Sequence, residues 1–195
     1  MSSDLTVLAF DTSAAHCAAA LLRGDRVLAS RVEDMAKGQA ERLMPLLEEV
    51  LAEGGIAWSD LNRIGVGIGP GNFTGIRISV SAARGLALGL GIPSIGLSLF
   101  QTTMHLSGRT RTAVPAPRGQ HYLNDPRTGA PRLAEGLPDM PFSLSTGHAP
   151  LDHVIAMARM AAKAPADSPR PAPLYVKPAD AAPSSDVPPV ILDDA

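Results

Sequence analysis

The sequence has 195 residues, of which 45% are hydrophobic and only 4% aromatic, and its formal net charge is −2. This composition is typical of a globular chain that buries a core as one domain or two small lobes, and it argues against a strongly basic RNA-docking module. Cys17 is the only cysteine, so no internal disulfide can form, and the first residues resemble neither a secretory signal nor a membrane span. We therefore expect a cytoplasmic protein.

The first hundred residues predict a regular alternation of strands and helices. Short apolar runs separated by turn residues predict an antiparallel meander of three strands, then a helix, a fourth strand and a second helix. The predicted strands are 5–11, 17–22, 26–32 and 62–68, and the predicted helices are 39–53 and 74–90. The glycines at 54, 55 and 91 would end the two helices.

Proline interrupts the second half, since only three of the 18 prolines precede residue 110. Shorter elements are expected there. The predicted pieces are strands at 94–97, 112–114 and 119–123, helices at 99–106 and 151–162, a proline-rich linker at 164–173 and an edge strand at 174–176. The order and type of these elements predict an α/β fold with a shorter second lobe.

The densest motif is the run Gly-Pro-Gly-Asn-Phe-Thr-Gly-Ile-Arg at 69–77, which follows a predicted strand and opens a helix. A helix start offers unpaired N–H groups to an anion, glycines allow close approach, Thr74 could cap the helix, and Arg77 could reach a phosphate. With the end of the first strand, this gives a candidate nucleotide or anion loop. Its members are Asp11, Thr12, Ser13, Gly69, Gly71, Asn72, Thr74, Gly75 and Arg77. The alternative is that a strand–helix turn needs these glycines for geometry alone.

Four segments of the chain resemble one protein family. The string GPGNFTGIRIS strongly resembles GPGSFTGLRIG, the signature of the TsaB family. LAFDTSAAHCAAALL is similar to that family's first hairpin, GQAERLMPLLEEVL to its first long helix, and PLYVKPAD to its C-terminal end. Four matches in the same order are far more specific than a single glycine loop.

The resemblance implies the fold of actin, sugar kinases and the Hsp70 ATPase domain, built as two related lobes. We expect a first lobe at 1–97, a reduced second lobe at 98–180 and a flexible tail at 181–195. The family resemblance also implies a function: a non-catalytic subunit that pairs with TsaD, the transferase that adds a threonylcarbamoyl group to N6 of adenosine 37 in tRNAs reading ANN codons. The ATPase TsaE would join this complex, tRNA would be contacted only indirectly, and a homodimer could form when the partner is missing.

Several residue patterns argue against catalysis by the chain itself. TsaD-like enzymes bind a metal through a pair of histidines on one helix, whereas none of the five histidines here lies in the first long helix, where Gln39 stands instead. We interpret all five as surface or turn residues and Cys17 as a buried apolar residue. No glycine follows Asp11 to wrap a phosphate. We therefore expect no catalytic residue, no metal and no required cofactor, with ATP or ADP at most at the subunit interface.

Two other classes of function remain as alternatives. One is a small-molecule kinase or ATPase of the same fold, and the other is a metallopeptidase of the glycoprotease type. The missing hairpin glycine argues against the first, and the missing histidine pair argues against the second.

The resemblance places the partner contact on the two helices of the first lobe. Small residues of the second helix would allow close approach, and apolar residues of the first would pack into it. The predicted interface residues are Leu43, Met44, Leu47, Ser79, Ala82, Ala83 and Leu86. If so, Ala83→Arg should weaken partner binding while the monomer stays folded. The alternative is that both helices turn these faces to their own sheet.

Overall fold

The structure, a computed structural model, describes residues 4–176. The tail predicted at 181–195 lies outside the described residues. Within these residues, thirteen strands and α-helices form the fold. The strands are β1 (Thr6–Asp11), β2 (His16–Arg23), β3 (Arg26–Asp34), β4 (Arg63–Gly67), β5 (Ser94–Leu97), β6 (Thr112–Pro115), β7 (His121–Asn124), β8 (Arg132–Ala134) and β9 (Ser143–Leu144), and the helices are α1 (Gln39–Glu53), α2 (Phe73–Leu90), α3 (Leu99–Ser107) and α4 (Pro150–Lys163).

The first sheet has five strands in the order β3-β2-β1-β4-β5. The meander β1-β2-β3 is antiparallel, as predicted, and β4 and β5 run parallel to β1. All six residues of β1 are buried because both faces of the sheet are covered. Leu8 and Phe10 pack with the residues of α1, while Val7 and Ala9 pack with α4, as the two-residue period of a strand requires.

The second sheet repeats the start of the first on a smaller scale. Its order is β8-β7-β6-β9, with an antiparallel meander β6-β7-β8 and with β9 parallel to β6, as β4 is to β1. The prediction of an α/β fold with two related lobes, the second shortened, is therefore confirmed. The helix α4 follows this sheet in the chain but packs on β1, β2 and β4 of the first. The boundary between 97 and 98 stays a prediction.

The predicted elements of the first lobe agree with the structure to within two residues at each end, and α1 agrees at both ends. The segment 174–176 is not a strand. One backbone hydrogen bond, from Leu174 N to Ile68 O at 2.8 Å, attaches it to the end of β4, since Pro171 and Pro173 have no N–H groups for a ladder. Among residues 4–176, no helix combines the length and the apolar content needed to cross a membrane.

An ion-pair network ties α1 to β3. Arg42 donates to both carboxylate oxygens of Glu33, at 2.7 and 2.6 Å, and to both oxygens of Glu49, at 2.7 Å each. Arg31 pairs with Glu49 and with Glu53. The hydrogen bonds from Arg42 lower the pKa of Glu33 and of Glu49 below their ordinary values. The network lies at the surface and fixes the orientation of α1 on the meander.

Candidate functional site

The candidate anion loop packs directly on the end of β1. Thr12 Oγ1 donates to the carbonyl of Gly75 at 2.7 Å, and Asn72 N donates to the carbonyl of Ser13 at 2.6 Å. Asp11, Thr12 and Ser13 are all buried. The structure thus brings the two predicted halves of the site together.

Glycine is required at this junction because the backbone of the loop lies very close to the backbone at the end of β1. A Cβ on Gly71 would lie 2.2 Å from the carbonyl oxygen of Ser13, and one on Gly75 would lie 1.9 Å from that of Thr12. Both distances are far below any van der Waals contact, so only glycine fits. The chain's own carbonyl groups fill the space beside these two glycines.

The N-terminus of α2 is also occupied by the chain itself. Asn72 is the N-cap, and its side-chain oxygen accepts from Gly75 N at 2.9 Å. The prediction that Thr74 caps the helix is wrong, because the loop begins the helix at Phe73 and leaves Thr74 exposed within its first turn.

Arg77 turns toward the C-terminal segment and an aromatic pair. Its guanidinium carbon lies 3.9 Å from the centroid of the Phe73 ring, and its Nε donates to the hydroxyl of Tyr175 at 3.0 Å. The rings of Phe73 and Tyr175 stack with centroids 4.9 Å apart. This contact attaches residue 175 to the first turn of α2, and it uses the cation that was predicted to hold a phosphate.

Asp11 belongs to a buried polar cluster that sequence reasoning missed in part. Its Oδ2 accepts from Ser13 Oγ at 2.9 Å and lies 3.1 Å from His16 Nε2, while its Oδ1 is buried without a hydrogen-bond partner among residues 4–176. The Oδ1 faces Gly67, where a Cβ would come within 1.9 Å of it. Ser13 is fully buried, so its hydroxyl is not accessible to a substrate in this structure, although it donates to the carboxylate.

Two of the five histidines differ from the surface or turn residues that the sequence suggested, whereas His105 is exposed, as expected. His16 pairs with Asp11, and His153 is only 6% exposed. The ring of His153 joins two elements, through Thr102 Oγ1 at 2.8 Å and the carbonyl of Ser145 at 2.9 Å. Burial lowers the pKa of His153. Both rings therefore have structural partners, which a sequence without spatial information cannot reveal.

Cys17 and Gln39 occupy structural positions beside this cluster. Cys17 is fully buried, as expected, and burial, assisted by the charge of Glu33, raises the pKa of its thiol to about 11. Gln39 donates to the carbonyl groups of Ala14 and Met35, at 3.2 and 3.3 Å, and so ties the start of α1 to the hairpin. Within the described range 4–176, no group of three or more histidine, cysteine or acidic residues is placed to hold a metal ion.

The predicted partner surface needs correction. Leu43, Leu47, Ser79 and Ala83 are all at most 1% exposed and belong to the interior between the helices and their own sheet. They cannot contact another protein in this fold. Ser79 Oγ also donates to the carbonyl of Gly67 at 3.0 Å, which holds α2 on β4. For these four residues, the alternative that the helices cover their own sheet is correct.

The outer side of α2 presents a different set of residues. Met44 of α1 is 37% exposed, and Ala82 and Leu86 are half-buried beside α1. Leu88 is 82% exposed, and a Cβ added to Gly85 or Gly89 would meet nothing within 4 Å. We call Met44, Ser81, Gly85, Leu88 and Gly89 the outer helix surface. It combines an exposed leucine with small residues over which another helix can approach closely.

Comparisons with known proteins find similarity to two groups, TsaB proteins and TsaD transferases. The family model described as "TsaD: tRNA N6-adenosine threonylcarbamoyltransferase" matches residues 27–119. The TsaB protein of Escherichia coli (strain K12), a "tRNA threonylcarbamoyladenosine biosynthesis protein", is 34% identical over 124 residues, which cover 60% of this chain and 53% of that protein. A "tRNA N6-adenosine threonylcarbamoyltransferase" of Jannaschia sp. (strain CCS1) is 35% identical over 74% of this chain and 39% of its own length.

The similarity to one solved structure covers nearly the whole length of that protein. YeaZ from Pseudomonas aeruginosa superposes with a TM-score of 0.62 and 28% identity, covering 80% of this chain and 92% of that one. The chain spans about half the length of the curated relatives it matches. Together with the two related sheets, these matches confirm the predicted fold, that of actin, sugar kinases and the Hsp70 ATPase domain.

Proposed function

We propose, from its similarity to TsaB proteins, that the chain is a TsaB-type, non-catalytic subunit in tRNA threonylcarbamoyladenosine biosynthesis. In this proposal it pairs with a TsaD-type transferase and supports the transfer of the threonylcarbamoyl group to tRNA. A TsaE-type ATPase joins the complex, and the chain meets tRNA only through its partners. It needs no cofactor of its own, and ATP or ADP binds, if at all, at the subunit boundary.

The observation that carries the proposal is the outer helix surface. Leu88 is 82% exposed on a helix whose opposite face packs on the first sheet, and the glycines beside it leave open space. The small residues beside Leu88 allow a second helix to approach closely and to pack around this leucine, which favours an interface between proteins. The same surface is available for a homodimer when the transferase is missing.

The packing around Asp11 supports a non-catalytic role for the chain. The backbone of Ser13 and Thr12 fills the place beside Gly71 and Gly75, and Asn72 caps α2. Ser13 and Asp11 are both buried, so the hydroxyl of Ser13 is closed to a substrate. These contacts argue against phosphate transfer, and thus against the kinase or ATPase alternative.

Reconstitution tests the proposal. The purified chain is assayed for tRNA modification alone, then with TsaD, TsaE and the threonylcarbamoyl-AMP donor, next to a mixture that lacks only this chain. We expect modified tRNA from the complete mixture alone. The similarity to proteins named as transferases makes a second candidate, a transferase that acts alone. Modified tRNA, ATP hydrolysis or metal-dependent peptide cleavage by the chain alone would contradict the scaffold function.

A further inference from the structure

The second lobe contains a cavity of about 360 Å³ that the proposed function does not use. Its size lies at the lower end of the range for small-molecule sites, roughly 300–1,000 Å³. All of its lining residues except Arg111 come after residue 119, where the match to the family model ends. It lies on the second sheet, whereas the outer helix surface belongs to the first lobe.

Three arginines from different segments converge on this cavity. Arg111 directly precedes β6, Arg127 lies in the turn between β7 and β8, and Arg132 begins β8 opposite Leu123 of β7. The antiparallel pairing of these strands brings the three side chains to one end of the sheet. The three positive charges are therefore brought together by the fold, since the arginines are not adjacent in the sequence.

One carboxylate at the cavity organises the arginines. Asp125 is 9% exposed, and its Oδ2 accepts from Arg111 Nε at 2.8 Å. Its Oδ1 accepts from the backbone N–H of Arg127 at 3.0 Å, and its carbonyl accepts from Thr128, so the turn that carries Arg127 is fixed. The backbone N–H of Arg127, followed by Arg111, lowers the pKa of Asp125, which keeps this carboxylate ionised at neutral pH.

The charge of the cavity remains positive after this pairing. Three guanidinium groups and one carboxylate leave two positive charges. In the part of the chain that the structure describes, no carboxylate lies within 4.0 Å of the guanidinium of Arg127 or Arg132, although Glu135 and Asp139 are exposed in the following loop. Both arginines are therefore available to a ligand, and planar guanidinium groups fit phosphate oxygens in pairs.

The rest of the lining is apolar. Leu123 is 2% exposed and lines the cavity together with Phe142, which is half-buried. Met140, at 45% exposed, lines it as well, and Leu137 of the same loop is 42% exposed. Large apolar side chains left in contact with water beside unpaired cations favour a ligand with one anionic end and one flat or apolar end.

We propose that this cavity binds a phosphate ester that carries a flat or apolar group, a nucleoside monophosphate being the simplest example. Arg127 and Arg132 bind the phosphate, while Phe142 and Met140 contact the base. Arg111 positions the site through Asp125 and does not itself need to contact the ligand. The proposal concerns the lone chain and does not depend on a partner protein.

Calorimetric titration of the purified chain tests the site with adenosine monophosphate as the probe. We expect saturable binding at one site, weakened about tenfold or more by Arg127→Gln and by Arg132→Gln, since each removes a charged hydrogen-bond donor. Inorganic phosphate and adenosine should each bind more weakly than the intact nucleotide. Arg109→Gln, which changes an arginine of the same lobe outside the cavity, should leave the affinity unchanged.

Several results would overturn the proposal. One is the absence of saturable binding by the folded wild-type chain, and another is equal binding of phosphate and nucleotide. Loss of binding on Arg77→Gln, with both cavity variants unchanged, would place the ligand at the glycine loop instead. Binding of single-stranded RNA without any binding of the nucleotide would also contradict it. None of these results bears on the partner interface, which is measured separately.

Discussion

Thr12 contacts Gly75 through both its hydroxyl and its backbone carbonyl, where the end of the first strand meets the second helix. The hydroxyl of Thr12 donates to the carbonyl of Gly75 at 2.7 Å, and the carbonyl of Thr12 lies where a Cβ of Gly75 would be, within 1.9 Å. The glycine of the signature motif is thus needed to let the hairpin and the helix meet. The motif at 69–77 resembles an anion-binding loop in the sequence, but in the structure it packs against the end of β1.

Gly75→Ala should therefore destabilise the protein, although alanine is the better helix former. The added methyl group must displace backbone atoms of Thr12, and overpacking of this kind costs about 1–3 kcal/mol. The matched control is Gly85→Ala in the same helix, where a Cβ meets nothing, so that variant should gain roughly 0.5–1 kcal/mol. Urea denaturation followed by circular dichroism compares the two. Equal effects of both substitutions would show that the Thr12 contact is not tight.

Ala83→Arg should unfold the protein and not merely weaken an interface. Ala83 is fully buried, so a guanidinium there has neither space nor a partner for its charge. The expected result is loss of the cooperative thermal transition. Gly85→Arg, at an exposed position two residues further along α2, should keep that transition. A cooperatively folded Ala83→Arg variant would mean that α2 can turn this face outward.

The α1–β3 ion pairs should make stability depend on pH in the acidic range. The pKa values of Glu33 and Glu49 are lowered in the folded state by hydrogen bonds from Arg42, so their contribution is present above the ordinary value of 4.5 and is lost as the pH falls through the folded values. Arg42→Gln removes this contribution. Denaturation at a series of pH values should show a difference between variant and wild type that shrinks below pH 4.5.

The control for this experiment is Arg26→Gln, an exposed arginine of β3 that forms no ion pair among residues 4–176. Its difference from wild type should stay constant with pH. If the Arg42→Gln difference also stays constant, the network does not contribute through ionised carboxylates.

Cys17 should not react with thiol reagents while the chain is folded. Its side chain is fully buried and its pKa is raised to about 11, so the thiolate is scarce at pH 8. Labelling with a chromogenic disulfide should proceed only as fast as the protein opens, and should be immediate in denaturant. Rapid stoichiometric labelling of the native chain would show that the first hairpin opens readily.

Strongly periodic elements of this chain are predictable from its sequence, and α1 is the best case. Its apolar residues recur at helical spacing and Gly54 ends it, so both boundaries agree with the structure. The strands β8 and β9 have only three and two residues, which is too short for any periodic signal, and they were missed. Of the strands beside the cavity of the second lobe, β7 was predicted in part, whereas β8, which carries Arg132, was not.

The candidate site was only partly predictable, for a different reason. The sequence identified Asp11 and the glycine loop, but it could not show that Asn72 and not Thr74 caps α2, because both residue types can do so. It also left open whether the small face of α2 contacts a partner or the chain's own sheet. Ser79 and Ala83 pack on the chain's own sheet, since periodicity indicates which residues share a face and not what that face contacts.

We propose that this chain acts by binding a TsaD-type transferase through its outer helix surface. The most direct test is the dissociation constant of that complex, measured for wild type and for Leu88→Arg, with Leu137→Arg as the same change at an exposed leucine of the second lobe. All three proteins should show the same thermal stability within error. We predict that Leu88→Arg weakens the complex by at least about tenfold, as expected for a buried interface anchor, while Leu137→Arg does not. Equal affinities for all three proteins, or no complex with wild type, would contradict the account.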